Sequence, residues 1–282
     1  MNVEFPHEIT YNKIEIKSKI ASGLTADIFE ARGNDGNKYA IKIFNRKSEK
    51  YYLSEVNFLK QKITHKNIIT AYEWGKVAPT DLRFGNRYYI IMEYIAFGDL
   101  ATLISENYQK INENVIRHII MEIANGLKEM HSKGFVHRDI KPENILISSF
   151  SPYPSIKLID FGFADPINEI STEKKGTYGY MSPEVINKQP QNAESIDVFS
   201  LGVIAYILFT QEFPFETATS TDELFSLIID KKWEDYWNKT KKNTLSSEAK
   251  EMLQGMLDYE ASKRYTMEQL FHCKYISNSK PL

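Results

Sequence analysis

Between residues 11 and 95 the apolar positions fall mostly two apart. Ile14, Ile16 and Ile20 alternate with polar neighbours across Tyr11 to Ile20, and the pattern continues in Ile28 to Ala31 and Lys38 to Phe44. The turn residues Gly33-Asn34-Asp35-Gly36 separate the last two runs, so these should pair as a hairpin. Glu49 to Lys62 breaks the alternation with Leu53, Val56 and Leu59 near helical spacing, and predicts one helix among the strands. Strands are expected again at Ile68 to Trp74 and Arg87 to Tyr94, joined by the polar loop Thr80 to Asn86.

Beyond Gly98 the period changes. Asn112 to Ser132 places Ile116, Ile120, Ile123, Leu127 and Met130 on one face, and Gly134 stands where a helix should end. Two short strands, Ile145 to Ile147 and Ile156 to Ile159, flank a Ser/Pro-rich loop from Ser148 to Ser155. Helices are expected at Ser195 to Thr210, Asp222 to Lys231, Ser247 to Leu257 and Met267 to His272. Ser220 with Glu223, and Thr266 with Gln269, have capping-box spacing, and Ser182-Pro183 reads as an N-cap followed by a first-turn proline. A β-rich part followed by an α-rich part implies an α+β protein of two lobes, divided near Tyr94 to Gly98.

Composition narrows the function classes. The 282 residues are 42% hydrophobic, enough for a large core, and the net charge of −2 gives no general basic surface for nucleic acid. One cysteine, Cys273, excludes an internal disulfide and a cysteine zinc cluster; its apolar surroundings suggest a buried structural thiol. Met1 to Thr10 lacks the apolar run of a signal peptide. The longest apolar run, Leu201 to Phe209, is shorter than the roughly 20 residues of a membrane span. A soluble, cytoplasmic monomer without nucleic-acid or membrane partners is expected, with the nucleus left open as a location.

The chemistry concentrates in His137-Arg138-Asp139-Ile140-Lys141-Pro142-Glu143-Asn144 and in Asp160-Phe161-Gly162. Asp139 offers a carboxylate that can take a proton from an attacking hydroxyl. Lys141 supplies positive charge for a transferring phosphoryl group, and Arg138 is a bidentate anion binder that can hold a negatively charged loop. Asn144 and Asp160 offer hard oxygen ligands to magnesium, and Gly162 permits a tight backbone turn.

These strings resemble the eukaryotic-type protein kinases, and the similarity runs from about Tyr11 to Ile276. The resemblance implies a kinase domain over 11–276: a small β-rich N-lobe with one main helix (11–93), a hinge (94–98) and a larger helical C-lobe (99–276). The active site would lie in the cleft, with 1–10 and 277–282 as short extensions. Tyr39-Ala40-Ile41-Lys42 resembles the family's third-strand lysine motif, which implies that Lys42 holds ATP phosphates and pairs with Glu55, Glu49 being the weaker candidate. Met92 would guard the back of the pocket, Glu93 and Ile95 would present backbone groups to adenine, and Asp99 would reach the ribose. Ile20, Ile28, Ala40 and Leu146 would sandwich the base. Gly176 to Glu184 resembles the segment that positions a protein substrate, including Thr177, with Ser182 in place of the usual alanine. Asp197 resembles the aspartate that holds the catalytic loop, and Arg264 the late arginine that pairs with Glu184. The implied cofactors are ATP and Mg2+, and the implied partners are proteins with Ser/Thr acceptors; the tail leans towards the calcium/calmodulin-dependent-kinase-like group.

Two departures stand out. In Ile20-Ala21-Ser22-Gly23-Leu24-Thr25-Ala26-Asp27-Ile28 only Gly23 remains of three expected glycines, which keeps a pseudokinase or scaffold as the alternative to a turning-over enzyme. In the activation segment, Ser171 and Thr172 precede Glu173, which stands where many relatives carry a phosphorylated threonine. Glu173 is therefore expected to supply a standing negative charge to Arg138.

Overall fold

The alternating first third of the chain forms a five-stranded antiparallel sheet in the order β1-β2-β3-β5-β4. Its strands are β1 (Ile14–Ser22), β2 (Ala26–Gly33), β3 (Lys38–Phe44), β4 (Ala71–Lys76) and β5 (Tyr88–Glu93), with helix α1 (Glu49–Leu59) between β3 and β4. The computed structural model describes residues 11–107, 111–189 and 192–277, so the expected extension 1–10 and all of the expected extension 277–282 but Ser277 lie outside the described residues. On one face of the sheet Phe29, Tyr39, Ile41, Ile43 and Ile91 pack under Val77 and Phe84 of the β4–β5 connection. On the other, Ala26, Phe44 and Ile90 pack with Tyr52, Val56, Phe58 and Leu59 of α1. Each large apolar side chain enclosed this way contributes about 1.5–3 kcal/mol.

Several boundaries differ from expectation by a few residues. Tyr11–Lys13 form a 3-10 turn, so β1 starts at Ile14 and runs on to Ser22. Helix α1 stops at Leu59, and Lys62 just beyond takes a left-handed φ of 49°. The strand expected from Ile68 begins only at Ala71, because the backbone of residues 67–69 pairs with Leu158 of the larger lobe (Leu158 N to Asn67 O 2.8 Å, Ile69 N to Leu158 O 3.0 Å).

The rest is mainly helical. Helix α2 (Leu100–Asn107) starts at Asp99, whose carboxylate accepts the Thr102 amide at 2.7 Å. Helix α3 (Glu113–Ser132) is capped by the Asn112 side chain, buries all five apolar residues of its expected face, and is followed by Gly134 at φ +78°. Two small antiparallel pairs frame the string His137 to Asn144: β6 (Phe135–Val136) with β9 (Asp165–Pro166), and β7 (Ile145–Ser149) with β8 (Ser155–Leu158). Helices α4 (Pro183–Ile186), α5 (Ala193–Thr210), α6 (Glu223–Ile229), α7 (Trp233–Lys239), α8 (Ser247–Met256), α9 (Met267–His272) and α10 (Lys274–Ser277) complete the lobe. Helix α5 has the length and hydropathy of a short membrane span, but 83% of it is buried inside the protein as the central core helix.

The capping box at Thr266 and Gln269 forms as expected. The one at Ser220 does not: Asp222 caps α6 by accepting the Phe225 amide at 2.9 Å. Ser182 occupies the N-cap position of α4, but its side chain makes no capping bond. Helix α7, which is not among the elements expected from the sequence, carries Trp233, Tyr236 and Trp237. Tyr236 and Trp237 are buried core residues, with the Tyr236 hydroxyl donating to the Pro214 carbonyl at 2.9 Å. Cys273 is half-buried, and burial pushes its thiol up from the ordinary range.

Candidate active site

Strand β3 carries Lys42 into the space between the lobes. Its register places Lys42 opposite Ile28 on one side and Ile90 on the other, with Ala40 opposite Met92. Helix α1 brings Glu55 to 2.7 Å from Lys42 Nζ, and Asp160 Oδ1 approaches the same nitrogen to 2.9 Å. Lys42 and Glu55 are only 4% and 2% exposed, so this charge cluster sits in a poorly hydrated setting. Burial works against the Lys42 ammonium, but the Asp160 and Glu55 carboxylates outweigh it and hold the charge above the usual lysine range. For Asp160 too, burial is outweighed by Lys42, which holds the carboxyl below its ordinary value. Glu55 is left with the cost of burial, against which Lys42 pulls and Asp160 pushes, and its carboxyl is pushed up to about 7. Glu49 makes no part of this cluster; it accepts a hydrogen bond from the Tyr88 hydroxyl at 2.6 Å.

Phe161 is fully buried against Phe58 of α1 (ring centroids 4.2 Å apart) and His137 (5.4 Å). This packing links the inward position of α1 to that of Asp160. Asp160 itself lies at φ +62°, a conformation that costs a residue with a side chain about 1–2 kcal/mol.

Strand β6 leads into the loop that bears Asp139, and α5 holds that loop from beneath. Asp197 Oδ1 accepts the Arg138 amide, and Oδ2 accepts the His137 amide, both at 2.9 Å; Oδ2 also meets His131 Nε2 at 2.8 Å. Burial opposes ionisation of Asp197, but these bonds outweigh it and keep the carboxyl below its ordinary value. His137 Nε2 lies 3.0 Å from the Ile159 carbonyl, and its Nδ1 accepts the Asp139 amide at 3.3 Å.

Asp139, 4% exposed, is held on both carboxylate oxygens. Oδ1 accepts the Thr177 hydroxyl at 2.9 Å, and Oδ2 meets Lys141 Nζ at 2.9 Å and Asn144 Nδ2 at 3.0 Å. Lys141 also donates to Thr177 Oγ1 at 2.8 Å. Among the described residues, Asp160 Oδ2 and Asn144 Oδ1 have no hydrogen-bond partner. No group of three His, Cys, Asp or Glu side chains that could hold a metal occurs among the described residues. The available donors are thus hard oxygens, few in number, which suits a small divalent cation that takes the rest of its ligands from phosphate and water.

The remaining expected positions fall as follows. Ile28, Met92, Ile95 and Leu146 are half-buried, Ala40 is buried, and Ile20 is half exposed. The Glu93 amide is used by the Thr70 carbonyl (3.0 Å), while Ile95 makes no hydrogen bond among the described residues. Asp99 is committed to its helix cap, and bridges to Leu146 by backbone. In the degenerate loop, Ala21 pairs with Ile28, the Gly23 amide donates to the Ala26 carbonyl at 2.9 Å, and Ser22 donates to Asp27 at 2.5 Å. Ala26 is buried opposite Phe44.

Away from the cleft, Arg264 forms a two-pronged pair with Glu184 (2.7 and 3.1 Å) and lies 4.8 Å from the Phe199 ring centroid. Glu173 is a correction. Its side chain is exposed, and it is the Glu173 backbone carbonyl that accepts from Arg138 Nη2 at 3.0 Å. The carboxylate on Arg138 is that of Asp165, a residue not among those expected; it also meets Lys175 at 2.7 Å and accepts the Ser171 amide at 3.1 Å. Thr172 is exposed. Asp165 carries no periodic signal, because its strand is only two residues long and ends in a proline.

The protein kinase domain family matches residues 14–276. The human serine/threonine-protein kinase ULK1 is 30% identical over 96% of this chain and 26% of its own length. The mouse serine/threonine-protein kinase DCLK3 is 31% identical over 93% of this chain and 32% of its own. The Arabidopsis thaliana serine/threonine-protein kinase ATG1a is 30% identical over 94% of this chain and 42% of its own. The chain therefore spans less than half the length of each of these curated relatives. With a β-sheet lobe over a helical lobe, the charge cluster between them and this match over most of its length, the chain belongs to the eukaryotic-type Ser/Thr protein kinase family.

Proposed function

We propose that the chain transfers the γ-phosphoryl group of ATP to serine or threonine hydroxyls of protein substrates, in a magnesium-dependent reaction. The observation that carries this reading is the simultaneous assembly of two groups of side chains. Lys42 is paired with both Glu55 and Asp160, while Asp139 is oriented by Lys141, Asn144 and Thr177. The first would hold nucleotide phosphates, and the second would receive the acceptor.

In the proposed reaction the substrate hydroxyl oxygen forms a bond to the γ-phosphorus as the bond to the β–γ bridging oxygen breaks, and the hydroxyl proton passes to the Asp139 carboxylate. Lys42 offsets charge on the non-transferring phosphates. Lys141 offsets charge beside Asp139, and the Thr177 hydroxyl ties the substrate-side segment to the proton acceptor. Asp160 and Asn144 would hold magnesium, which when bound neutralises phosphate oxygens and orients them. The half-buried Ile28, Met92 and Leu146 and the buried Ala40 supply an apolar slot for the adenine.

The two alanines in the phosphate loop supply the specific ground for a second reading, a nucleotide-binding scaffold with little turnover. Incubation with labelled ATP, magnesium and a basic test protein separates the two. The enzyme reading expects labelled product that Asp139→Asn abolishes. Nucleotide binding without transfer would favour the scaffold, and no nucleotide binding at all would overturn the proposal.

A further inference from the structure

The Arg138 guanidinium is almost fully buried, and its Nη1 is paired with the Asp165 carboxylate. Asp165 comes from β9, directly opposite Val136 in β6, so its backbone is fixed against the strand that enters the Asp139 loop. From there its two oxygens span the activation segment: Oδ2 serves Arg138 and the Ser171 amide, and Oδ1 serves Lys175. Arg138 in turn takes the Glu173 carbonyl, and Ser171 Oγ accepts the Glu173 amide at 3.1 Å. Residues 171–175 are thus folded around one carboxylate.

The next residues transmit this arrangement to the proton acceptor. Gly176, at φ +110°, lies so close that an added side-chain carbon would come within 2.5 Å of the Arg138 carbonyl. Only glycine allows this approach. Thr177 follows and donates to Asp139. A short path of contacts therefore runs from Asp165 through Arg138 and Lys175 to Thr177 and Asp139.

We propose that Asp165 is a positioning residue that sets the activation segment for phosphoryl transfer without a phosphate on Ser171 or Thr172. The proposal rests on the kinase reading above. Two cations and one carboxylate share the pocket, and the carboxylate is part of the fold. A phosphate would bring about −1.5 to −2 charges into a pocket whose arginine already has its anion. Asp165→Asn would leave buried Arg138 facing a neutral amide and release Lys175, and the segment would lose its anchor.

The test uses the chain after exhaustive phosphatase treatment, with intact mass confirming that no phosphate remains. Three readouts are taken: kcat and KM on a basic test protein, melting temperature, and the rate of tryptic cleavage after Lys174 and Lys175. Wild type should keep at least half its untreated kcat. Asp165→Asn should lose at least tenfold in kcat with ATP KM changed less than threefold, and should be cut at least tenfold faster. Asp165→Glu should recover kcat to within threefold of wild type, and Glu173→Ala should stay within twofold. Loss of most activity on phosphatase treatment would overturn the proposal. So would an unchanged kcat in Asp165→Asn, or a loss that Asp165→Glu does not restore. If wild type transfers no phosphate in any state, the kinase reading fails separately, and the cleavage rates still decide whether Asp165 holds the segment.

Discussion

The loop that carries Asp139 and the hairpin that carries Gly23 face the same cleft from opposite sides, and they are held very differently. In the first, His137, Arg138, Asp139 and Asn144 are all buried, and each has a named partner from another element or from within the loop. In the second, the tip residue Leu24 is 94% exposed. The hairpin is tied by the Ser22–Asp27 bond, by Asn45 Nδ2 to the Leu24 carbonyl at 3.0 Å, and by the Asn45 amide to the Thr25 carbonyl at 2.8 Å. In the proposed role of proton acceptor, Asp139 would have to meet its donor at hydrogen-bond distance, and a loop held at every one of these residues suits that demand. A hairpin that covers phosphates, as proposed for this one, would work through backbone amides on an exposed turn, where an extra methyl has room. The lost glycines fall in the forgiving half of the cleft, and every expected chemical side chain falls in the rigid half or on β3 and α1.

That contrast can be broken by experiment. The largest effect is expected from Asp139→Asn, which should lower kcat by about 10²- to 10⁴-fold with little change in nucleotide affinity. Single-turnover phosphoryl transfer measures it, and a loss below tenfold would remove Asp139 as the proton acceptor. Next comes the ion pair away from the cleft. Arg264→Ala leaves the Glu184 carboxylate, its side chain 9% exposed, without its partner, and should cost about 3 kcal/mol of stability in urea unfolding. A change under 1 kcal/mol would show that the pair is better solvated than its geometry implies.

A subtler effect is expected at Glu55, which belongs to the buried charge cluster with Lys42 and Asp160. Its folded-state value of about 7 exceeds the ordinary 4.5. Between those pH values the folded, nucleotide-free chain keeps a proton that the unfolded chain has lost. The contribution of Glu55 to stability is therefore present below about pH 4.5 and is lost as pH rises to about 7. Urea unfolding of the nucleotide-free chain at pH 5 and pH 8 should show this loss, and Glu55→Gln should flatten it. An identical slope in the variant would place the titration elsewhere. The smallest effect is expected where the chain departs most visibly from its relatives. Ala21→Gly with Ala26→Gly should lower the KM for ATP by twofold to fivefold, the equivalent of about 0.5–1 kcal/mol. A gain above a hundredfold would mean that the hairpin, not the catalytic loop, limits this protein.

How far the chain could be read without coordinates depended on the range of the interaction. The alternation of β1 to β3, the apolar face of α3 and the capping box at Thr266 were legible, because each is set by neighbours a few residues away. The choice of Glu55 over Glu49 was legible only with the family resemblance, since both are carboxylates on one helix. Asp222 was overlooked as a cap because Ser220 offered the commoner pattern. The reach of residues 67–69 to Leu158 had no local mark, and cut short an expected strand. The place of Glu173 along the segment points to it as the charge on Arg138, but a position along a loop does not say where the side chain points.

Local order was written in the amino acids alone: two lobes, the strand and helix periods, and a string of residue types suited to phosphoryl transfer. Backbone sterics and the burial of every second or every third-to-fourth residue act over one or two turns of chain, so they survive without knowledge of the fold. Which charges meet was decided only by tertiary packing. Lys42 and Asp160 are 118 residues apart, Arg264 and Glu184 are 80, and Arg138 and Asp165 are 27. Among 37 acidic residues many are local equals. Only the close packing of sheet, helix and loop brings one particular carboxylate out of water and against one particular cation, where a few ångströms of separation determine the interaction.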